Sequence, residues 1–280
     1  MDLKEKFISS FLAFEQRVNT ATDLHEIRTE ALKVFENNGF PTKKEEAWKY
    51  TSLSAILKND FSILPKSEIA VEFKDVKKYF LNDVDTYKLV FINGVFSSHL
   101  SSTTHDGLDV CLMSSALNKP KYKMQIDTFF NQIADKKDSL TNLNTAYAAE
   151  GAFINIPKST VVAKPIEILY FTTGTTSNFV QPRNLIIVGE NAHVQILERH
   201  QSLTDEVMVT NAVTEIFAQK RAIVDYYKLQ NDLVTANLVD NTFISQKQES
   251  RVSVHTFSFG GNITRNNLNF YQQGERIDST

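Results

Sequence analysis

Between residues 161 and 259, 31 of 99 residues are Val, Ile or Thr. Side chains branched at Cβ lose rotamer freedom in a helix and fit a pleated surface, so this stretch has to fold as strands. The apolar runs are short: 166–172, 185–188, 193–197, 207–210, 213–217, 223–229, 238–244, 252–259 and 268–271. Several alternate, as in Val194-Gln195-Ile196 and Val252-Ser253-Val254, the period of a strand with one buried face. The runs also repeat. Ile216-Phe217-Ala218-Gln219-Lys220 returns as Phe243-Ile244-Ser245-Gln246-Lys247 at an offset of 27, and Val224 precedes Val252 by 28. Ala192, Val194 and Ile196 line up with Ala222, Val224 and Tyr226 at an offset of 30. A period of 27–30 in an all-strand segment is that of a solenoid whose coils pair their edges with the coils above and below. A β-sandwich with evenly spaced strands gives the same offsets, so periodicity alone leaves both open. With only 9 Gly and 6 Pro in 280 residues, few tight hairpins can be built in either case.

The chain before this stretch reads differently. Leu3, Phe7, Phe11, Phe14 and Val18 form one helical stripe. A second helix is expected from an Asp23 N-cap, with Leu24, Ile27, Ala31, Val34 and Phe35 as its apolar face. Asn37-Asn38-Gly39 closes it, and Pro41 stops continuation. Thr42 and Glu45 have capping-box spacing for a third, short helix. Residues 61–145 are mixed. Lys88–Ile92 reads as a strand, Asn93-Gly94 as a hairpin turn into Val95-Phe96, and Asp106-Gly107 as a turn before the strand Val110-Cys111-Leu112. Residues 127–147 read as helix.

A net charge of −3 and a pI near 6.1 carry no electrostatic footprint for nucleic acid. No GxxxxGK[ST], GxGxxG or GxSxG occurs, so no nucleotide cradle or nucleophile elbow of those kinds is written here. The single cysteine, Cys111, allows neither an intramolecular disulfide nor a cysteine-built metal cage, and its apolar neighbours mark it as a small buried hydrophobe. His25, His99, His105, His193, His200 and His255 show no metal-ligand pairing such as HExxH. His193 and His200 are expected on different strands or a loop, and His255 facing solvent. Asp225 and Asp240 fall in strands, with no sign in the spacing that they converge. The sequon Asn262-Ile263-Thr264 is read as chance, because the acidic residues Asp2 and Glu5 ahead of the apolar run 7–14 do not suit a signal peptide. A cytoplasmic location is expected.

Three segments resemble one family. Pro41-Thr42-Lys43-Lys44-Glu45-Glu46-Ala47-Trp48-Lys49-Tyr50-Thr51 is similar to an N-terminal signature of the SufD branch of the SufB/SufD family of iron–sulfur cluster assembly proteins. Leu143-Asn144-Thr145-Ala146-Tyr147, with Gly151 to Lys158 and Lys164-Pro165-Ile166, resembles the opening of that family's core. The run Pro182 to Ala192 resembles the core's R-x-L-I-x-x-G-E-x-A pattern.

The resemblance implies a right-handed parallel β-helix rather than a sandwich, so the expected class is mainly β with α. An N-terminal helical region (1–60) and a mixed α/β segment (61–145) would precede the β-helix core (146–280). The implied role is a non-catalytic scaffold subunit that pairs with a SufB-like paralogue and a SufC-like ATPase, with iron–sulfur clusters held transiently on the full complex. Family chains continue well past 280 residues, so the sequence is expected to be an N-terminal portion lacking the ATPase-docking helices. Its last strand edge is then expected to pair, for example with a second copy. No catalytic or metal residue carries over to any position here, no cofactor is expected on this chain alone, and neither membrane nor nucleic acid is an expected partner. The β-helix alone would also suit a polysaccharide-active enzyme or a structural solenoid.

Overall fold

A computed structural model describes residues 2–18, 24–64, 70–102 and 108–280. Its strands are β1 (Tyr87–Ile92), β2 (Val95–Phe96), β3 (Asp109–Leu112), β4 (Ala152–Ile156), β5 (Ile166–Thr172), β6 (Asn178–Val180) and β7 (Arg183–Val188), followed by β8 (His193–Ser202), β9 (Met208–Ala218), β10 (Ile223–Asp232), β11 (Ala236–Lys247), β12 (Arg251–Gly260), β13 (Ile263–Gln273) and β14 (Asp278–Ser279). The helices are α1 (Leu3–Val18), α2 (Leu24–Asn38), α3 (Phe73–Val76), α4 (Met113–Asn118), α5 (Lys123–Phe129) and α6 (Ser139–Ala146).

The strands form two sheets. Sheet I runs β3-β4-β7-β9-β11-β13, with β6 also on β9, and sheet II runs β2-β1-β5-β8-β10-β12-β14. Every pairing among β4 to β14 is parallel, and, apart from β6 and β7, which both lie in sheet I, the chain alternates between the sheets. The fold is therefore a flattened parallel β-helix, and the sandwich alternative falls away. The offsets of 30 and 28 are ladder registers: Val194 lies beside Val224, and Val224 beside Val252. The offset of 27 is one short, because Ile216 pairs with Ile244 at a spacing of 28. A slip of one residue would turn every side chain of the strand to the opposite face. The 28-residue register keeps both isoleucines in the lumen.

The lumen between the sheets holds the largest apolar cluster, including Ile154, Ile168, Ile186, Val194, Ile196, Ile216, Val224 and Ile244. The outer face of sheet I is covered by the helices. Phe7, Phe35 and Leu143 pack with Phe179, Val209 and Val239, while Met113, Leu117 and Ile126 pack with Phe153, Leu185 and Phe217. Part of sheet II is covered by Val71, Val76, Phe80 and Leu100.

The Asn93-Gly94 hairpin forms as expected, with both residues at positive φ and Phe91 opposite Phe96. The helix expected over 127–147 is broken in two. Asn131 takes φ 58°, and a fresh start at α6 is capped by Asp138, whose carboxylate accepts Thr141 N–H at 2.7 Å. At Thr42 the capping contact exists (Thr42 N–H to Glu45 Oε1, 2.8 Å), but only a single 3-10 turn, Glu46–Trp48, follows. Asp23, His105 and Asp106-Gly107 lie outside the described residues. Among the described residues no helix is long and apolar enough to cross a membrane.

Candidate functional site

The strand expected over 193–197 runs on to Ser202, so His193 and His200 share β8. The extra half-strand escapes apolar periodicity because its inward positions are polar. In-register parallel stacking turns those positions into columns. Ile168, Glu198, Lys228 and Thr256 form one column of sheet II, and Tyr170, His200, Gln230 and Ser258 form the next. Facing them from sheet I are Asn184, Thr214 and Thr242 in one column, with Asp240 two residues before Thr242 on β11. One half of the lumen is thus aliphatic and the other polar and charged.

Nearly all of this polar half is buried: Glu198, Asn184, Thr214, Thr242 and Tyr226 are 0% exposed, Asp240 1%, and His200 and Lys228 4% each. Its hydrogen bonds close on themselves. Glu198 Oε1 meets His200 Nε2 at 2.8 Å. Glu198 Oε2 accepts Tyr226 OH at 2.6 Å and Asn184 Nδ2 at 2.9 Å. Asn184 Oδ1 accepts Tyr170 OH at 2.5 Å and the backbone N–H of Ala152 at 2.8 Å. Lys228 forms an ion pair with Asp240 and donates to Thr242 Oγ1 at 2.7 Å. The His200 ring stacks on Tyr170 with centroids 5.0 Å apart. Burial alone would push the Glu198 carboxyl up, but the bond from His200, the charge of Lys228 and the Tyr226 hydroxyl outweigh it and hold Glu198 ionised. Burial, with Glu198 next in weight, drives the Tyr170 and Tyr226 phenols well above their usual range, so both stay protonated donors.

The histidines separate by environment. His25 meets Glu15 at the surface, and His99 bonds the Val71 carbonyl at 2.9 Å. His193 pairs with Asp225 at 3.1 Å on the outer face of sheet II. His255 is exposed and stacks on Tyr227. Cys111 packs among the residues that line α4 and α5, and burial pushes its thiol up. His200 and Asp240 do converge, which linear spacing could not show. The available signal was the 30-residue offset: carried four residues past Ile196 and Tyr226, it sets Glu198 over Lys228 and His200 over Gln230.

The matched segments have a structural basis. Asn144 Nδ2 donates to the carbonyls of Pro182 (2.9 Å) and Asn211 (2.7 Å), and Asn211 returns a bond to Leu140 O. Arg183 turns outward, pairs with Glu215 at 2.6 Å and donates to Thr145 Oγ1 at 3.0 Å. Trp48 lies buried beneath the Arg265 guanidinium, 4.5 Å from the ring centroid.

The family model described as the SufBD protein N-terminal region matches residues 1–168. The model for the SUF system FeS cluster assembly SufBD core domain matches residues 170–280. The chain belongs to the SufB/SufD family. Within it the chain is SufD-like. It is 28% identical over 244 residues to the iron-sulfur cluster assembly SufBD family protein slr0076 of Synechocystis sp., covering 84% of this chain and 53% of that protein. It is 24% identical over 241 residues to the iron-sulfur cluster assembly protein SufD of Escherichia coli, covering 85% of this chain and 53% of that one. The chain spans about half the length of these curated relatives.

Proposed function

We propose that this chain acts as a SufD-type scaffold in iron–sulfur cluster assembly, pairing with a SufB-like paralogue and working with a SufC-like ATPase. The observation that carries the reading is the end-to-end match of both family models, N-terminal region then core, on a fold whose clasp between helices and solenoid is built from the matched residues themselves. In this reading the cluster is cargo of the complex. One cysteine, packed against helices on the outer face of sheet I, does not supply the several thiolates that usually hold a cluster. ATP hydrolysis is assigned to the partner, in keeping with the absence of a Walker motif.

The test is co-expression of the affinity-tagged chain, in its native sequence context, with the SufB-like and ATPase proteins of its source. Stoichiometric co-elution of both, with ATP turnover following the ATPase subunit alone, is expected. A scaffold that elutes without either partner at micromolar concentration overturns the reading.

A further inference from the structure

Apart from Lys228, the buried polar half of the lumen has the composition of a cation site. Two carboxylates, Glu198 and Asp240, stand against one ammonium, Lys228, and one imidazole, His200, so the charge of this buried group has to be compensated from within it or by a bound ion. One ligand atom each from Glu198, His200 and Asp240 lies within 4.8 Å of the others. A metal ion about 2.1 Å from each donor accepts ligand separations up to roughly 4.2 Å, so the set closes with a contraction of at most about 0.6 Å. The 2.8 Å between Glu198 Oε1 and His200 Nε2 already approaches the ligand–ligand edge of roughly 3 Å that such bond lengths give in octahedral geometry.

The supporting groups that orient metal ligands are also in place: Tyr226 OH and Asn184 Nδ2 hold the far oxygen of Glu198, and Asn184 is itself fixed by Tyr170 and Ala152.

We propose that Glu198, His200 and Asp240 form a binding site for a first-row divalent transition cation inside the solenoid, with Lys228 as the resident competitor for Asp240. One imidazole with two carboxylates suits Fe²⁺, Mn²⁺, Co²⁺ or Zn²⁺ and disfavours the soft ions that select thiolates. The ammonium occupies the cation's place in the structure, so removing its charge strengthens the site. The proposal concerns residues of this chain alone. It is read on the purified chain, whereas the scaffold reading is read by partner capture, so the two can fail separately.

The probe is Co²⁺, followed by visible ligand-field absorption and titration calorimetry on the 280-residue chain. The variants are His200→Gln, Asp240→Asn, Lys228→Met and, as a surface control, His193→Gln, each checked for an unchanged circular dichroism spectrum. One ion per chain is expected, with His200→Gln and Asp240→Asn each weakening it at least tenfold. Lys228→Met should tighten it at least tenfold, and His193→Gln should leave it unchanged. If Lys228→Met does not fold, the comparison of wild type with His200→Gln decides. No saturable ligand-field band, or one that His200→Gln leaves intact, overturns the site.

Discussion

At the scale of single residues, neighbours on one strand do opposite work. Arg183 and Asn184 are adjacent on β7, and the alternation of a strand sends one outward and the other into the lumen. Asn184 knits Glu198, Tyr170 and Thr214 together inside. Arg183, fully buried, meets Glu215 outside, and Glu215 also accepts the backbone N–H groups of Asn131 (2.8 Å) and Ile133 (3.0 Å) in the break between α5 and α6. Removing one member of such a pair strands a charge away from water. Arg183→Met should therefore cost about 3–5 kcal/mol in urea denaturation, and adding Glu215→Gln should recover part of it, because the amide oxygen still accepts the loop N–H groups. A loss below about 1 kcal/mol for the single variant would show that the pair is not the clasp described.

At the scale of elements, the coil corner repeats. Ser159, Asn191, Arg221, Glu249 and Arg276 all take φ between 55° and 60°. Their backbones hydrogen-bond from coil to coil, as in Asn191 N–H to Lys220 O and Arg221 N–H to Gln248 O. Their side chains and immediate neighbours build an alternating ladder in which Lys158 and Arg221 pair with Glu190, and Arg221 and Arg276 pair with Glu249. These exposed pairs are individually weak; backbone continuity carries the corner. Gly189 sits where one corner passes close to the next, and a Cβ there would stand 2.6 Å from Lys158 N and 2.8 Å from Ile156 O. Gly189→Ala should destabilise the chain by about 1–3 kcal/mol in thermal or urea unfolding, and an unchanged midpoint would mean that the corners slide freely. None of these five positions is glycine, so the turns left little mark in the composition. The strands were legible where inward residues are Val and Ile, as in 194–196 and 252–254. They faded where inward residues turn to Glu198 and His200 past residue 197, since an alternation rule scores polar inward positions as loop. The candidate site was hidden for the same reason that it is a candidate: it is polar where the fold is otherwise apolar.

At the scale of the whole molecule, the helical N-terminal residues and the solenoid share one core. Phe7 of α1, fully buried, packs its ring 5.2 Å from Tyr147 and 5.2 Å from Phe179 of β6, with Phe35 and Phe40 at 6.1 and 6.2 Å. Tyr147 OH donates back to the Phe7 carbonyl, and the buried guanidinium of Arg28 in α2 donates to Ala148 O at 2.5 Å. Two independent domains would leave a thin polar interface between them, yet here the sheet's outer face and the helices' apolar stripes bury one another. Unfolding should therefore be one cooperative event, with helical and strand signals in circular dichroism falling at the same denaturant concentration. Phe7→Ala should cost about 3–5 kcal/mol through the cavity it opens and should move both signals together. If the helical signal shifts and the strand signal stays, the helices are an appendage to a self-sufficient β-helix and the shared aromatic cluster is not what couples them.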